Sequence, residues 1–177
     1  MRFNKLVNKL LEAVADLPLP PPAIIQKAEA PLRNVDIIAA ALIGEAGGEG
    51  EKGIHAVMNV IVNRSKNSSD FVRSAVHNVL KPKQFSFFNK YNEGKEDIKD
   101  IVTRAKKHAN WKIAEKIALD GLSNKLADIT GGATHYHVSS GPSRVKPKWT
   151  VPGLGGKSNT AVVTNTIGHH SFLKNVD

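Results

Sequence analysis

Two apolar helical patterns meet at Gly44-Glu45-Ala46-Gly47-Gly48-Glu49, where paired glycines separate two glutamates. The first helix is predicted to begin after an Asn34 cap, and its apolar face is marked by Ile38, Ala41 and Leu42. Glu45 continues this face near the helix end, where burial and the negative pole of the helix both favour a neutral carboxyl. The pattern therefore predicts that Glu45 is a proton donor. The plain alternative is a Glu45 exposed at a fraying helix end.

The second glutamate of the stretch is expected in the opposite environment. Gly47-Gly48 should end the first helix, so that Glu49 and Glu51 begin the next one near its positive pole. That pole favours ionised carboxylates, and two unequal carboxyls allow one of them to act as an acid at neutral pH. We interpret Glu49 as an anion that stabilises the helix start. A second catalytic carboxylate is the alternative.

The composition describes a basic chain long enough for one domain and some additional sequence. The chain has 177 residues, no cysteine and a formal net charge of +9. Disulfides and thiolate metal sites are thus excluded, and no apolar run approaches the ~20 residues that cross a bilayer. A basic protein is attracted to polyanions such as nucleic acid, an anionic membrane or an anionic cell wall. Charge alone does not distinguish these partners.

Residues 1–33 are predicted to form an N-terminal region and residues 34–177 a folded domain. An apolar stripe at helical spacing, with basic residues beside it, indicates a short amphipathic helix that reaches Val14. The run from Pro18 to Pro22 then favours an extended polyproline conformation. The helix packs on its own domain or on another copy, or it docks on an anionic membrane or a virion partner.

The remaining patterns predict an α+β fold, mainly helical, with a small β element late in the chain. One helix is expected from about Glu51 to Ser65, and another from an Asp70 cap to just before Pro82. A longer helical region opens at Asp97 and bends near Asn110. Helices therefore dominate the first two thirds of the predicted domain.

The later segments have the character of loops and strands. The aromatic stretch from Lys81 to Phe88 is interpreted as a loop or a short strand. Residues 130–138 are predicted to be a turn followed by a strand, and residues 139–156 a loop. Residues 161–172 are predicted to form a final strand or hairpin.

Several sequence blocks occur in a characteristic order along the chain. They are Gly44-Glu45-Ala46-x-Gly48-Glu49, Gly53-Ile54-His55-Ala56-Val57, Val60-Ile61-Val62-Asn63-Arg64, Gln84-Phe85-Ser86, Thr130-Gly131-Gly132-Ala133-Thr134-His135-Tyr136, Trp149 and His170-Ser171-Phe172. In order and spacing they resemble the SleB-like cell wall hydrolases, the family of spore cortex-lytic enzymes. The resemblance covers about residues 36 to 173.

This resemblance implies a lysozyme-like or lytic-transglycosylase-like domain. It also implies cleavage of the β-1,4 bond between N-acetylmuramic acid and N-acetylglucosamine in peptidoglycan. The catalytic glutamate of the family falls on Glu45, the residue that the helix pattern also selects. The family usually has arginine where this chain has Gly47, and that departure removes a contact beside the acid.

Two mechanisms are compatible with this assignment. In a lytic transglycosylase, Glu45 alone protonates the leaving oxygen and then accepts the proton of the C6 hydroxyl, which gives a 1,6-anhydro sugar. In a hydrolytic muramidase, Glu49 acts as the second carboxylate. We favour transglycosylation, with Glu49 near the substrate rather than in the reaction.

Other candidate substrate contacts follow from side-chain chemistry. Gln84, Ser86 and Tyr136 have groups that hydrogen-bond to a sugar or to the acid. Phe85 and Trp149 have rings that stack on sugars, with core packing as an equal alternative for Phe85.

We predict neither a metal nor a cofactor. Four histidines, at 135, 137, 169 and 170, raise the question of zinc, but the resemblance calls for no metal. A nucleic-acid-binding protein is the main rival, yet no motif of that class is present. A wall-binding or virion module without catalysis is the other rival.

The basic charge suits an anionic wall as the partner. The N-terminal sequence shows no apolar core of a signal peptide, so we expect release by another route. A bacteriophage lysin, freed into the cell wall or carried in a virion, is the expected type.

Overall fold

The computed structural model describes residues 31–141, 147 and 161–176. The chain divides into two compact units, Met1–Pro31 and Leu32–Asp177, and every described helix and strand belongs to the second. The predicted amphipathic helix, the proline run and Trp149 lie outside the described residues. Within them, no helix is long and apolar enough to cross a membrane.

Helix α1, Asn34–Ala46, lies at the centre of the core. It is apolar on nearly every side and packs against several of the later helices, as expected for a buried helix. The predicted Asn34 cap is wrong, because Asn34 is the first helical residue and Arg33 precedes it without a side-chain cap. Arg33 instead forms an ion pair with the buried Asp36, 2.6 Å away, in the first turn.

A 3₁₀ turn, Gly47–Glu49, joins α1 to helix α2, Gly50–Ser65. The paired glycines therefore end α1 as predicted. Helix α3, Phe71–Leu80, comes next, and its Asp70 cap is confirmed, since the carboxylate accepts a 3.0 Å bond from Arg73 N.

The next segment is irregular and then helical. The stretch from Lys81 to Phe88 consists of turns and a 3₁₀ helix, Ser86–Phe88, so the loop interpretation holds and the strand alternative is wrong. Helix α4, Asn89–Asn92, is one turn long. Helix α5, Ile98–Ala105, begins where the sequence predicted, and Asp97 caps it by accepting a 2.7 Å bond from Lys99 N.

Helix α6, Trp111–Leu122, begins after the bend predicted near Asn110. It packs on both α1 and α2. Gly121 allows this close approach, because a Cβ at that position would clash with the side chain of Met58.

The late β element is a three-stranded antiparallel sheet in the order β1-β3-β2. Its strands are β1, His135–Val138, β2, Val162–Ile167, and β3, His170–Lys174. The sheet packs against α2 through a second cluster of buried side chains. Its members are Ala56, Val60, Ala133, Ile167 and Phe172. The predicted α+β fold is confirmed.

Asp128 organises the turn that leads into β1. Its carboxylate accepts bonds from Thr130 N at 2.7 Å, Gly132 N at 2.8 Å and Asn63 Nδ2 at 3.2 Å. Burial acts to raise the pKa of Asp128, but a 2.6 Å bond from the Thr130 hydroxyl, together with these three, lowers it below its ordinary value. No sequence pattern had indicated this role.

Candidate active site

The carboxyl of Glu45 is held by two hydroxyl groups from distant parts of the chain. Glu45 lies in the last turn of α1 and is half-buried. Ser86 Oγ donates to Oε1 at 3.2 Å, and the Tyr136 hydroxyl donates to Oε2 at 3.0 Å. Three residues nominated from the sequence therefore meet in one place.

Tyr136 is fixed by its neighbours in the sheet. Its ring lies 5.9 Å from that of Phe172 and 5.3 Å, edge-on, from that of His170. Burial, then the charge of Glu45 and the hydrogen bond to it, raise the pKa of Tyr136 well above its ordinary value. The phenol therefore stays protonated and remains a donor to Glu45.

Gly44 allows the loop that carries Ser86 to approach α1. A Cβ at Gly44 would clash with the ring of Phe87, which covers this glycine. Phe87 also packs edge-on against the buried Phe88, with 5.7 Å between ring centroids. Gly44 thus allows the loop to place Ser86 within hydrogen-bond distance of the Glu45 carboxyl.

Glu49 lies at the start of α2, as expected, and its side chain forms no hydrogen bond that caps the helix. Its side chain, 12% exposed, accepts a 2.9 Å bond from His169 N at the turn between β2 and β3. Its other oxygen lies 3.6 Å from His170 Nδ1. Gly168 makes room for this contact, since it has a φ of +57° and a Cβ there would clash with the carboxylate.

His170 is buried beside this carboxylate. Burial lowers the pKa of His170, against the opposing influence of the negative charges of Glu49 and Glu45. The imidazole is therefore neutral at pH 7, and its Nδ1 has no hydrogen-bond partner among the described residues.

Gln84, two residues before Ser86, is held by Arg64 of α2. Arg64 Nη1 donates to Gln84 Oε1 at 3.1 Å, and Arg64 Nε donates to the Thr134 carbonyl at 2.6 Å. Burial lowers the pKa of Arg64, and the side chain stays charged at any physiological pH. His135, next to Thr134, has its pKa lowered to about 4 by burial and by the charge of Arg64.

The two aromatic candidates differ in outcome. Phe85 is fully buried in the core, so its ring has no face for a sugar, and core packing is the interpretation that holds. Trp149 lies outside the described residues, and its stacking role stays a prediction.

Gly47 occupies the position at which the family usually has arginine, and its neighbours leave little room there. Its carbonyl accepts a 2.9 Å bond from Asn110 Nδ2, and a Cβ would lie 3.2 Å from His108 Cε1. A larger side chain at this position would require His108 to move.

An open cleft of about 350 Å³ runs past Glu45. One wall is the corner from Ile43 to Glu49, and the other is formed by Val138, Ser140, Gly141, His169 and His170. This second wall was not foreseen, because its contacts depend on the pairing of β1 with β3. The size and the mixed lining are typical of a small-molecule or polymer site.

The described residues contain no group of three or more histidine, aspartate or glutamate side chains placed to hold a metal ion. His135 and His137 lie on β1, His169 lies in the turn before β3, and His170 is the first residue of β3.

Comparison with known proteins identifies the family. Residues 48–173 match the family model described as Cell Wall Hydrolase. The chain belongs to the cell wall hydrolase family. The match begins three residues after Glu45, so the assignment of the acid depends on its hydrogen-bond geometry rather than on the matched range.

Two solved structures resemble the chain. The catalytic domain of the Bacillus cereus SleB protein is 26% identical, with a TM-score of 0.53 over 80% of this chain and 89% of that one. The catalytic domain of the germination-specific lytic transglycosylase SleB from Bacillus anthracis is 24% identical, with a TM-score of 0.52 over 88% and 100%. No curated protein matches the chain. The resemblance to SleB-like hydrolases is confirmed.

Proposed function

We propose that this protein degrades peptidoglycan by cleaving the β-1,4 bond from N-acetylmuramic acid to N-acetylglucosamine, with Glu45 as general acid and then base. One observation carries the proposal: the Glu45 carboxyl lines the cleft with a hydroxyl donor on each oxygen. Membership of the cell wall hydrolase family indicates that the substrate is the polymer of the cell wall.

In the first step, protonated Glu45 gives its proton to the glycosidic oxygen as the C1–O bond breaks. A hydroxyl rotates to donate or to accept, so Ser86 need not donate to the protonated oxygen before the transfer, while Tyr136 donates to the other oxygen throughout. After the transfer both hydroxyls donate to the new carboxylate. The site therefore stabilises the charge that develops on Glu45.

In the second step, the Glu45 carboxylate accepts the proton of the muramyl C6 hydroxyl, and O6 bonds to C1. The products are a 1,6-anhydromuramyl end and a free N-acetylglucosamine end, and no water is consumed. A hydrolytic muramidase is the alternative. The hydrogen bond from His169 N to Glu49 supports transglycosylation, because it commits Glu49 to the hairpin turn.

Mass spectrometry of digested peptidoglycan tests both the bond and the mechanism. We expect 1,6-anhydromuramyl ends. Reducing muramyl ends would instead establish hydrolysis, and reducing glucosaminyl ends or freed peptides would overturn the bond assignment.

A pair of variants tests the acid itself. Glu45→Gln should lose activity by at least about a hundredfold, because the amide cannot donate a proton to the leaving oxygen. Glu51→Gln is the matched control, since Glu51 is exposed on the first turn of α2 and does not line the cleft. If Glu45→Gln digests walls at the rate of Glu51→Gln, Glu45 is not the acid.

The finer hypotheses about partners and origin are part of this proposal. Docking of the N-terminal helix on an anionic membrane predicts that the full chain sediments with vesicles that contain phosphatidylglycerol but not with neutral vesicles. A phage-lysin origin predicts lysis when the protein is applied to walls from outside.

A further inference from the structure

Arg64 is a partly buried cation whose hydrogen-bond partners are neutral. Its two bonds go to the Thr134 carbonyl and the Gln84 amide oxygen. Among the described residues, no carboxylate forms an ion pair with it. Residues 142–160, in the connection between β1 and β2, contain four Lys or Arg residues and no Asp or Glu. A desolvated charge without a counter-ion is costly, so the site favours an anion from outside.

The position of Arg64 connects it to the acid. Arg64 joins Gln84 to Thr134, and Glu45 joins Ser86 to Tyr136. Gln84 thus lies two residues before Ser86, and Thr134 lies two residues before Tyr136. Two residues of extended chain span ~6–7 Å. The cation and the acid bridge the same loop to the same strand, side by side.

The remaining donors of Arg64 suit a carboxylate. A guanidinium carries more N–H groups than its two bonds use, arranged in a fork that matches two carboxylate oxygens. The Gln84 amide oxygen already accepts from Arg64, which leaves the exposed Gln84 NH₂ as a further donor at the same place. The set is therefore chemically an anion site and not a second proton-transfer site.

We propose that Arg64 and Gln84 form a subsite that binds a carboxylate of the muramyl unit beside the bond to be cleaved. This inference rests on the proposed function. The carboxylate is that of the lactyl group or that of the attached peptide. Binding it would hold the glycan in register with Glu45.

The test compares walls that differ only in their carboxyl groups. One set is intact peptidoglycan with or without carbodiimide coupling to methylamine, which turns carboxylates into neutral amides. The second set is the same polymer stripped of peptides by an amidase, which frees the lactyl carboxylate, again with or without coupling. We expect the wild type to lose at least about tenfold in kcat/KM when the recognised carboxylate becomes an amide. A loss on intact walls identifies a carboxylate of the peptide, and a loss on peptide-stripped walls identifies the lactyl carboxylate.

Arg64→Gln should abolish this preference, so that its ratio of rates on carboxylate and amide walls approaches one. Arg64→Lys should retain part of it, because the charge remains without the fork. Arg73→Gln is the control for net charge, as Arg73 is exposed on α3 and outside the cleft, and it should keep the wild-type ratio.

Equal rates of the wild type on carboxylate and amide walls would overturn the subsite, and so would an undiminished preference in Arg64→Gln. A wild type that cleaves no wall at all would overturn the proposed function instead. Both rates in the ratio are measured on the same variant. A loss of stability in Arg64→Gln lowers both rates and therefore does not mimic the expected result.

Discussion

Gly168→Ala is the sharpest test of how the sheet is fastened to the helices. Gly168 lies at the turn between β2 and β3 with a φ of +57°, and a Cβ there would clash with the Glu49 carboxylate. The left-handed backbone costs an alanine ~1 kcal/mol. Displacing the carboxylate also forfeits the charge-assisted bond from His169 N, worth ~1.5–3 kcal/mol.

Together these effects predict a loss of about 2.5–4 kcal/mol in the free energy of unfolding. For a chain of this size that corresponds to a fall in Tm of about 5–15 °C. The assay is urea unfolding followed by circular dichroism, with thermal melting as the second measurement. Gly48→Ala is the matched control, because nothing lies within 4 Å of a Cβ there, and it should change the stability by at most about 0.5 kcal/mol.

A double-mutant cycle separates the clash from the backbone cost. Glu49→Ala removes the carboxylate that the new methyl group would strike. Gly168→Ala should therefore cost only ~1 kcal/mol in a Glu49→Ala background. If Gly168→Ala unfolds like the wild type, or costs as much without the Glu49 carboxylate as with it, the contact between Glu49 and the turn does not fasten the hairpin.

Two further predictions concern the acid and the turn before β1. Tyr136→Phe keeps the ring and removes the donor to Glu45 Oε2, so kcat should fall by about 10- to 100-fold with little change in KM, as measured on solubilised wall fragments. Asp128→Ala should lower the free energy of unfolding by ~1 kcal/mol at pH 7, since it removes the acceptor for Thr130 N and Gly132 N. Because the folded pKa of Asp128 is lowered, its contribution is complete above the unfolded pKa of ~3.9 and is lost as the pH falls through the folded value. The difference between wild type and Asp128→Ala should therefore be constant from about pH 5 to 7 and shrink in stronger acid. A constant difference down to about pH 2 would contradict this.

Local features of the fold could be predicted from the sequence. Asp70 and Asp97 cap helices through bonds to residues three and two positions away, so neighbouring residues suffice to identify them. The Asn34 cap failed because Arg33 pairs with Asp36 one turn later, and the helix begins earlier to include that pair. Competition between two local patterns is hard to judge before the packing is known.

The candidate site could be predicted only where the chemistry of single residues was informative. Glu45 was identified both by its helix pattern and by the resemblance, and its partners Ser86 and Tyr136 have suitable hydroxyls. The sequence left Phe85 open between sugar stacking and core packing, because the 3₁₀ turn after it decides which aromatic ring faces the core. The bond from His169 N to Glu49 could not be predicted, because the two residues are 120 positions apart.

The order of strands in the sheet affects when the enzyme is assembled. β3 is the central strand, and among the described strands it is the one that pairs with β1, which carries Tyr136. Because residues 170–174 follow β1 in the sequence, β1 does not gain this ladder partner until they have been made. A nascent chain therefore holds Glu45 without its tyrosine donor and without the second wall of the cleft. The candidate site is therefore complete only after β3 has been made.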